Sequence, residues 1–327
     1  MHRRNRLALI AVLATAAVAV PAAPAGARPG PDPLLSVLPG APEPRPRTAP
    51  VRAPDPDSGV LDVAHRGASA YAPENTLAAF RLARARKADM FELDVQETKD
   101  HQLVIMHDTT LARTTNAEEV YPGRGPWKVA DFTLAEIGRL DAGGWFARRY
   151  AGERVPTLGQ VLAAMRGQGL GLLLEIKSPE LYPGVERRIA AELKRSPSWL
   201  RYDPRGRRLV VQSFDWASVR RFHAVLPKVP TGLLGTPKAA DLPKLAKYAD
   251  QVNPPFGGLT GSYVDAVHDA GMDVLTWTVD DPGAMERAID LDVDGIITNR
   301  PDVLRGVVDG IRPNGSVRRR STRRRRA

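Results

Sequence analysis

Cysteine is missing from all 327 residues. That rules out a disulfide framework, a thiolate nucleophile and a cysteine-ligated metal, and leaves any chemistry to oxygen, imidazole and amine groups. Also missing from the N-terminal region is an apolar run long enough to span a bilayer as a helix, for which about twenty residues are needed; Leu7–Val20 reaches only fourteen. That run follows Arg3, Arg4 and Arg6 and precedes Pro21 and Ala25-Gly26-Ala27, the order of a secretory signal. The expectation is a secreted or cell-envelope-associated protein that loses residues 1–27 and keeps no transmembrane span in its mature form. The Arg3-Arg4 pair is compatible with a twin-arginine route as well as with the general one.

The body of the chain lacks net charge. Three arginines precede residue 28 and seven lie in 318–326, with no acid in either segment, so the formal charge of +10 leaves residues 28–317 neutral. Residues 28–58 hold ten prolines in thirty-one positions, a composition that forbids helix and sheet interiors and predicts an extended linker. The C-terminal stretch 313–327, with Arg318–Arg320 and Arg323–Arg326, offers almost nothing to pack and is expected to be disordered. Its density of positive charge suits an anionic cell-wall polymer or a lipid surface, and an inert solvated tail is the open alternative. Export and the absence of interleaved aromatics argue against nucleic acid.

What is present between these ends is an alternation of short apolar runs with amphipathic segments. The runs are 61–65, 90–95, 103–107, 171–177, 209–214, 231–234, 250–253, 273–279 and 294–298. Only seven residues separate Val95 from Leu103, too few for a parallel crossover, so the third run is expected to return antiparallel as a hairpin. Eight parallel strands with intervening helices predict an α/β fold, a TIM (β/α)8 barrel spanning 59–312. Residues 109–159 form a small insertion after the second strand's hairpin, placed over the barrel mouth. An open doubly wound sheet is disfavoured because no glycine-rich fingerprint follows the first strand.

In a barrel the reactive side chains belong at the C-terminal strand ends. There the sequence places His65 and Arg66, then Glu92 and Asp94, His107, and finally Glu175 and Lys177. Residues two apart share a face of a strand, so both pairs can point into the lumen while Phe91, Leu93, Val95, Leu174 and Ile176 point out. Each feature alone has a plain structural reading: a salt-bridged Glu-x-Asp, a satisfied core histidine, a strand-end ion pair. Their convergence on one rim is what points to chemistry, because barrel interiors are ordinarily aliphatic. Three confined carboxylates repel one another unless a cation sits between them, and an all-oxygen donor set suits one divalent ion, Ca2+ or Mg2+. Two histidines add a proton acceptor and a proton donor, and Arg66 and Lys177 add charge suited to a phosphate. Trp277 nears the end of its strand, on the face of Leu275 and Val279, and is read as a pocket wall; Gln212 and Asn253 are weaker candidates. Glu74 is read as an anchor for Arg66 beside a helix cap at Asn75 or Thr76.

Taken in order, "AHRGASAYAPENT", "FELDVQETKDHQLVIMHD", "LARTTN", "LLLEIK", "VQSF", "TWTV" and "DGIITNRP" resemble the glycerophosphodiester phosphodiesterase family over about Leu61 to Leu304. The resemblance implies a barrel enzyme that hydrolyses glycerophosphodiesters to glycerol 3-phosphate and an alcohol with a divalent metal. On that footing His65 and His107 are the catalytic acid/base pair, Glu92, Asp94 and Glu175 the metal ligands, and Arg66 and Lys177 the phosphate contacts, with Trp277 beside the substrate. It also implies attack by the glycerol 2-hydroxyl and a cyclic phosphate opened by water. His101 stands where the family often has a hairpin glycine, a position histidine tolerates better than a β-branched residue. Two alternatives stay open: a phospholipase of related barrel type, sphingomyelinase D-like or phosphoinositide-specific, and a catalytically silent envelope-binding protein.

Overall fold

Valine- and leucine-rich runs become strands wherever both of their faces can be buried. In the computed structural model, which describes residues 59–201, 203 and 208–311, these are β1 (Leu61–Ala64), β2 (Met90–Glu97), β3 (Leu103–Ile105), β4 (Gly171–Ile176), β5 (Leu209–Ser213), β6 (Thr231–Leu234), β7 (Gln251–Asn253), β8 (Asp273–Thr276) and β9 (Gly295–Thr298). The expected signal segment 1–27, the linker 28–58 and the arginine-rich end 313–327 lie outside the described residues. All strands except β3 pair in parallel, in the order β1-β9-β8-β7-β6-β5-β4-β2, and β1 also pairs with β2, which closes an eight-stranded barrel. The third strand is antiparallel, with Val95 opposite Ile105, and its turn holds His101 at φ 60°.

Period-two alternation divides each strand between two environments. Leu61, Val63, Met90, Leu173, Val210, Leu275 and Ile297 form a lumenal cluster. The outward residues Phe91, Leu93, Val95, Leu174 and Ile176 pack instead with the helical layer, among them α1 (Leu77–Ala85), α4 (Leu158–Ala164) and α5 (Val185–Arg195). The eighth strand run, 273–279, departs from the expected pattern. β8 ends at Thr276, so the alternation stops there: Trp277 packs on the lumenal cluster, whereas Val279 is bonded through its N–H to Ile297 O and buried in an outer cluster with Met285 and Leu304. Trp277 and Val279 therefore do not share a face.

Residues 109–157 carry α2 (Ala117–Val120), α3 (Leu134–Ile137) and two short 3₁₀ turns over a small core of their own, built on Val104, Met106, Leu111, Val129, Phe132, Ile137 and Leu140. Helix α4, whose Thr157 and Gln160 form a capping box, starts before Gly159.

The turn that leaves β1 aims the candidate residues. Arg66 takes a positive φ of 55° and Gly67 one of 81°, and Gly67 N–H returns to Ala64 O at 3.1 Å. A Cβ on Gly67 would lie 2.6 Å from the carbonyl carbon of Ala79, on α1. Both the left-handed φ and the closeness of a neighbouring backbone exclude a larger residue here. Gly67→Ala is therefore expected to lower unfolding stability by roughly 2 kcal/mol or more, read by denaturant titration; a loss under roughly half of that would show that α1 can retreat without cost.

Candidate active site

The ladder between β2 and β4 sets Asp94 directly opposite Glu175, and Glu92 lies one lumenal step below Asp94. Glu92, Asp94 and Glu175 are 2%, 1% and 6% exposed, and one carboxylate oxygen from each lies within 4.8 Å of the others. Burial, and then the neighbouring carboxylates, push Glu92 well above the usual carboxylate range and Glu175 up to about 8. Asp94 moves the other way. Burial alone would raise it, but Lys177 and Arg66 outweigh that cost and hold it ionised.

Two cations are threaded through this cluster. Lys177, one residue past β4, sets its Nζ 2.9 Å from Glu175 Oε1 and 3.6 Å from Asp94 Oδ1. Arg66 Nε stands 3.5 Å from Asp94 Oδ2, and its Nη1 donates to Glu74 Oε1 at 2.9 Å. Glu92 has no side-chain cation of its own; the Arg66 backbone N–H donates to its Oε2 at 2.7 Å, which the left-handed turn at Arg66 makes possible. Three carboxylates against two cations leave a formal deficit of one positive charge in a nearly dry pocket. The donors are all oxygens, mutually within reach and inadequately neutralised, so they fit a hard divalent ion.

Both imidazoles sit beside this cluster, each with one nitrogen committed. His65 follows β1, and its Nδ1 lies 2.8 Å from Asn299 Oδ1. Burial, reinforced by the Arg66 guanidinium, pushes it down to about 4, so the ring is neutral at physiological pH. His107 follows β3 and sets its Nδ1 2.7 Å from Asp108 Oδ1. Arg113 grips Asp108 with Nε to Oδ2 at 2.6 Å and Nη2 to Oδ1 at 3.0 Å, and grips Glu74 with Nη1 to Oε2 at 2.8 Å and Nη2 to Oε1 at 2.7 Å. Those bonds hold Asp108 ionised, so His107 always faces a carboxylate.

Trp277 donates its indole N–H to Asn253 O at 2.7 Å and stands edge-on to Phe214 at 5.6 Å. Lys177 Nζ lies 5.7 Å from the Phe214 ring centre, so Lys177, Phe214 and Trp277 form one continuous wall. Phe214 is 53% exposed. Gln212 and Asn253 are buried and bond each other, Asn253 Nδ2 donating to Gln212 Oε1 at 2.7 Å.

Several supporting residues escape sequence reasoning. Thr76, not Asn75, caps α1; Asn75, at φ 59°, instead donates Nδ2 to Asp94 Oδ2 at 2.8 Å. The clue available was an asparagine in a turn, where left-handed backbone is tolerated. Glu74 anchors Arg66 as expected, but the junction made by Arg113 and the contact from Asn299 link loops far apart in the chain, and no spacing announces them.

The sequence profile of the glycerophosphoryl diester phosphodiesterase family matches residues 65–303. A glycerophosphodiester phosphodiesterase of Bacillus subtilis is 37% identical over 265 residues, covering 77% of this chain and 87% of the relative. One from Caldanaerobacter subterraneus is 38% identical over 252 residues, covering 76% and 97%. Among solved structures, an Oleispira antarctica phosphodiesterase in complex with the product sn-glycerol-3-phosphate matches with a TM-score of 0.66 at 28% identity, covering 77% of this chain and 97% of that one.

The carboxylate cluster makes stability depend on pH. Glu92 and Glu175 are raised above their usual 4.5 in the folded state, so folding retains protons the unfolded chain has released, and stability falls as pH rises from about 4.5 to about 8. Asp62, a buried residue of β1 likewise pushed up to about 8 by desolvation, adds the same sign. In chelator, the melting temperature is expected to fall between pH 5 and pH 8. Millimolar Mg2+ or Ca2+ should restore it most at pH 8, because the ion binds the ionised form. Glu92→Gln should abolish the ion-dependent gain; a gain of the same size in that variant would remove Glu92 from the ligand set.

Proposed function

The chain belongs to the glycerophosphoryl diester phosphodiesterase family, and we propose that it is an exported, divalent-metal-dependent enzyme releasing glycerol 3-phosphate and an alcohol. Hydrolysis of glycerophosphodiesters is its activity. The observation that carries the metal reading is the buried trio of carboxylates accompanied by only two cations, one fewer than would neutralise it. Glu92, Asp94 and Glu175 would hold the ion, and when bound it supplies positive charge that acidifies the attacking hydroxyl and offsets charge on the phosphate. With a divalent ion held there, the formal balance of the three carboxylates, Arg66 and Lys177 would go from one negative to one positive charge, which would suit a singly charged phosphodiester.

The protein's own groups divide the proton transfers. His65 is neutral and takes the proton of the attacking hydroxyl as that oxygen bonds to phosphorus. His107, its Nδ1 set against the Asp108 carboxylate, takes the opposite role and gives a proton to the departing alkoxide as the P–O bond breaks. If the attacker is the glycerol 2-hydroxyl, a cyclic phosphate results, and water opens it with the two histidines exchanging roles. Arg66 and Lys177 provide donors toward the non-bridging oxygens. Phe214 and Trp277 wall the side next to Lys177.

A related phospholipase activity would need an apolar approach, and Phe214 and Leu181, both about half exposed on loops at the barrel mouth, provide some. The mature protein should therefore be assayed with glycerophosphocholine, glycerophosphoethanolamine and intact phosphatidylcholine, after chelation and with each metal restored. The expected result is turnover of the two deacylated substrates only, dependent on metal. His65→Ala and Glu92→Ala should each cut kcat by at least about a hundredfold in a folded protein. Near-normal rates in either variant, or in rigorously chelated enzyme, would overturn this mechanism.

Export rests on the signal-like residues 1–27; among the described residues no helix is long and apolar enough to cross a membrane. We assign the seven arginines of 318–326 to retention on anionic envelope polymer or lipid headgroups. Removing 318–327 should release the protein from envelope fractions that otherwise retain it until salt is raised. Unchanged, salt-insensitive retention would exclude this role.

A further inference from the structure

His65 offers one ring nitrogen to the site, and its other nitrogen is held from across the seam where β1 and β9 close the barrel. His65 Nδ1 lies 2.8 Å from Asn299 Oδ1, just past the end of β9. A carboxamide can turn either its oxygen or its nitrogen toward a ring, and the difference decides which imidazole nitrogen carries hydrogen. Here the neighbours decide it. Asn299 Nδ2 donates to Asp280 Oδ2 at 2.6 Å, so the amide nitrogen is the atom turned to the carboxylate oxygen, which accepts. Asp280 Oδ1 in turn accepts the Asn299 backbone N–H at 2.7 Å and Thr298 Oγ1 at 3.0 Å, so the acid is fixed in place by three donors from one turn. Rotating the amide would set its oxygen against that carboxylate and leave its NH2 against the ring.

The amide oxygen therefore faces His65 and must receive a hydrogen from Nδ1, which leaves the lone pair on Nε2. Ser69 braces the same corner, its Oγ 2.7 Å from Asn299 Oδ1 and 2.8 Å from the His65 carbonyl oxygen. The arrangement differs from that of His107, whose Nδ1 faces a carboxylate directly. A neutral amide orients His65 without adding charge, while the charged groups that act on the ring are Arg66, Asp94 and Glu74.

We propose that Asn299, backed by Asp280, is a positioning residue that locks His65 in the Nδ1–H tautomer and so presents Nε2 as the proton acceptor. The role rests on the phosphodiesterase reading of the site, but the tautomer can be measured without substrate. In full-length protein at neutral pH, long-range 1H–15N correlation spectra should show His65 protonated at Nδ1 and bare at Nε2; the chain has six histidines, and His65→Ala assigns the signal. Asn299→Ala should move His65 toward the Nε2–H form and lower kcat roughly ten- to a hundredfold with KM changed by less than about twofold. Asn299→Asp keeps an acceptor for Nδ1–H but sets an oxygen against Asp280, so the double variant Asn299→Asp/Asp280→Asn, which restores a donor–acceptor pair between the two positions, should preserve the tautomer and recover most of kcat. Asp280→Asn should loosen the lock with a smaller loss.

An Nε2–H tautomer in the unaltered protein would overturn the proposal, and that result needs no variant to fold. So would an Nδ1–H signal unchanged in folded Asn299→Ala. Absence of turnover on every glycerophosphodiester, with the expected spectra, would overturn the substrate reading and leave the lock standing.

Discussion

Crowding of negative charge at the mouth of the barrel is the constraint to which the neighbouring structure answers. Parallel register places Asp94 against Glu175, and pleating returns Glu92 to the same face. The lumen beneath is aliphatic, so solvent cannot dilute the repulsion. The backbone responds with unusual conformations close by: Arg66 at φ 55° turns its N–H onto Glu92, and Asn75 at φ 59° turns its amide onto Asp94. Left-handed non-glycine residues cost free energy, and their concentration around three acids is how a fold holds charges that do not stabilise it. What stabilises the acids is a cation, and two protein cations do not suffice for three of them.

A second ring of charge keeps the first in order. Glu74 stands between Arg66 and Arg113, and Arg113 stands between Glu74 and Asp108, so the loops after β1 and β3 are tied by one alternating chain of ions. Because Arg113 also satisfies Asp108, that carboxylate remains an acceptor for His107, and because Asn299 is neutral, His65 meets no carboxylate at its Nδ1. The two imidazoles are chemically alike, and the asymmetry between them comes wholly from what stands behind each. One imidazole is backed by a neutral amide and the other by a carboxylate, so the two rings are held differently at the two ends of the site.

How much of this was legible in the sequence follows from how local each determinant is. Strand number and the antiparallel hairpin could be read because loop length limits topology, and Glu92, Asp94, Glu175 and Lys177 could be put on one side of their strands because alternation is a short-range rule. The rule failed where its premise did: past Thr276 the strand is over, and Val279 goes to the outer layer while Trp277 stays with the lumen. Asn75 was visible only as a turn residue, because its contact with Asp94 spans nineteen positions. Asn299 is further out of reach, since its partner lies 234 positions away and meets it only because the barrel closes.

The same closure explains why the site is built from so many separate segments. A parallel strand can deliver only one or two lumenal side chains near its C-terminal end before the chain turns outward, so a site with two imidazoles, three acids and two cations has to recruit several strands. Their relative positions are then set by ladder register rather than by loops: Val63 pairs with Met90, Asp94 with Glu175, and Ala64 with Thr298. A slip of one residue on any of these strands would turn its reactive side chain into the helical layer. The hydrophobic outward faces that prevent such slips, Phe91, Leu93 and Leu174 among them, therefore hold the geometry of the candidate site as surely as the hydrogen bonds at the mouth do.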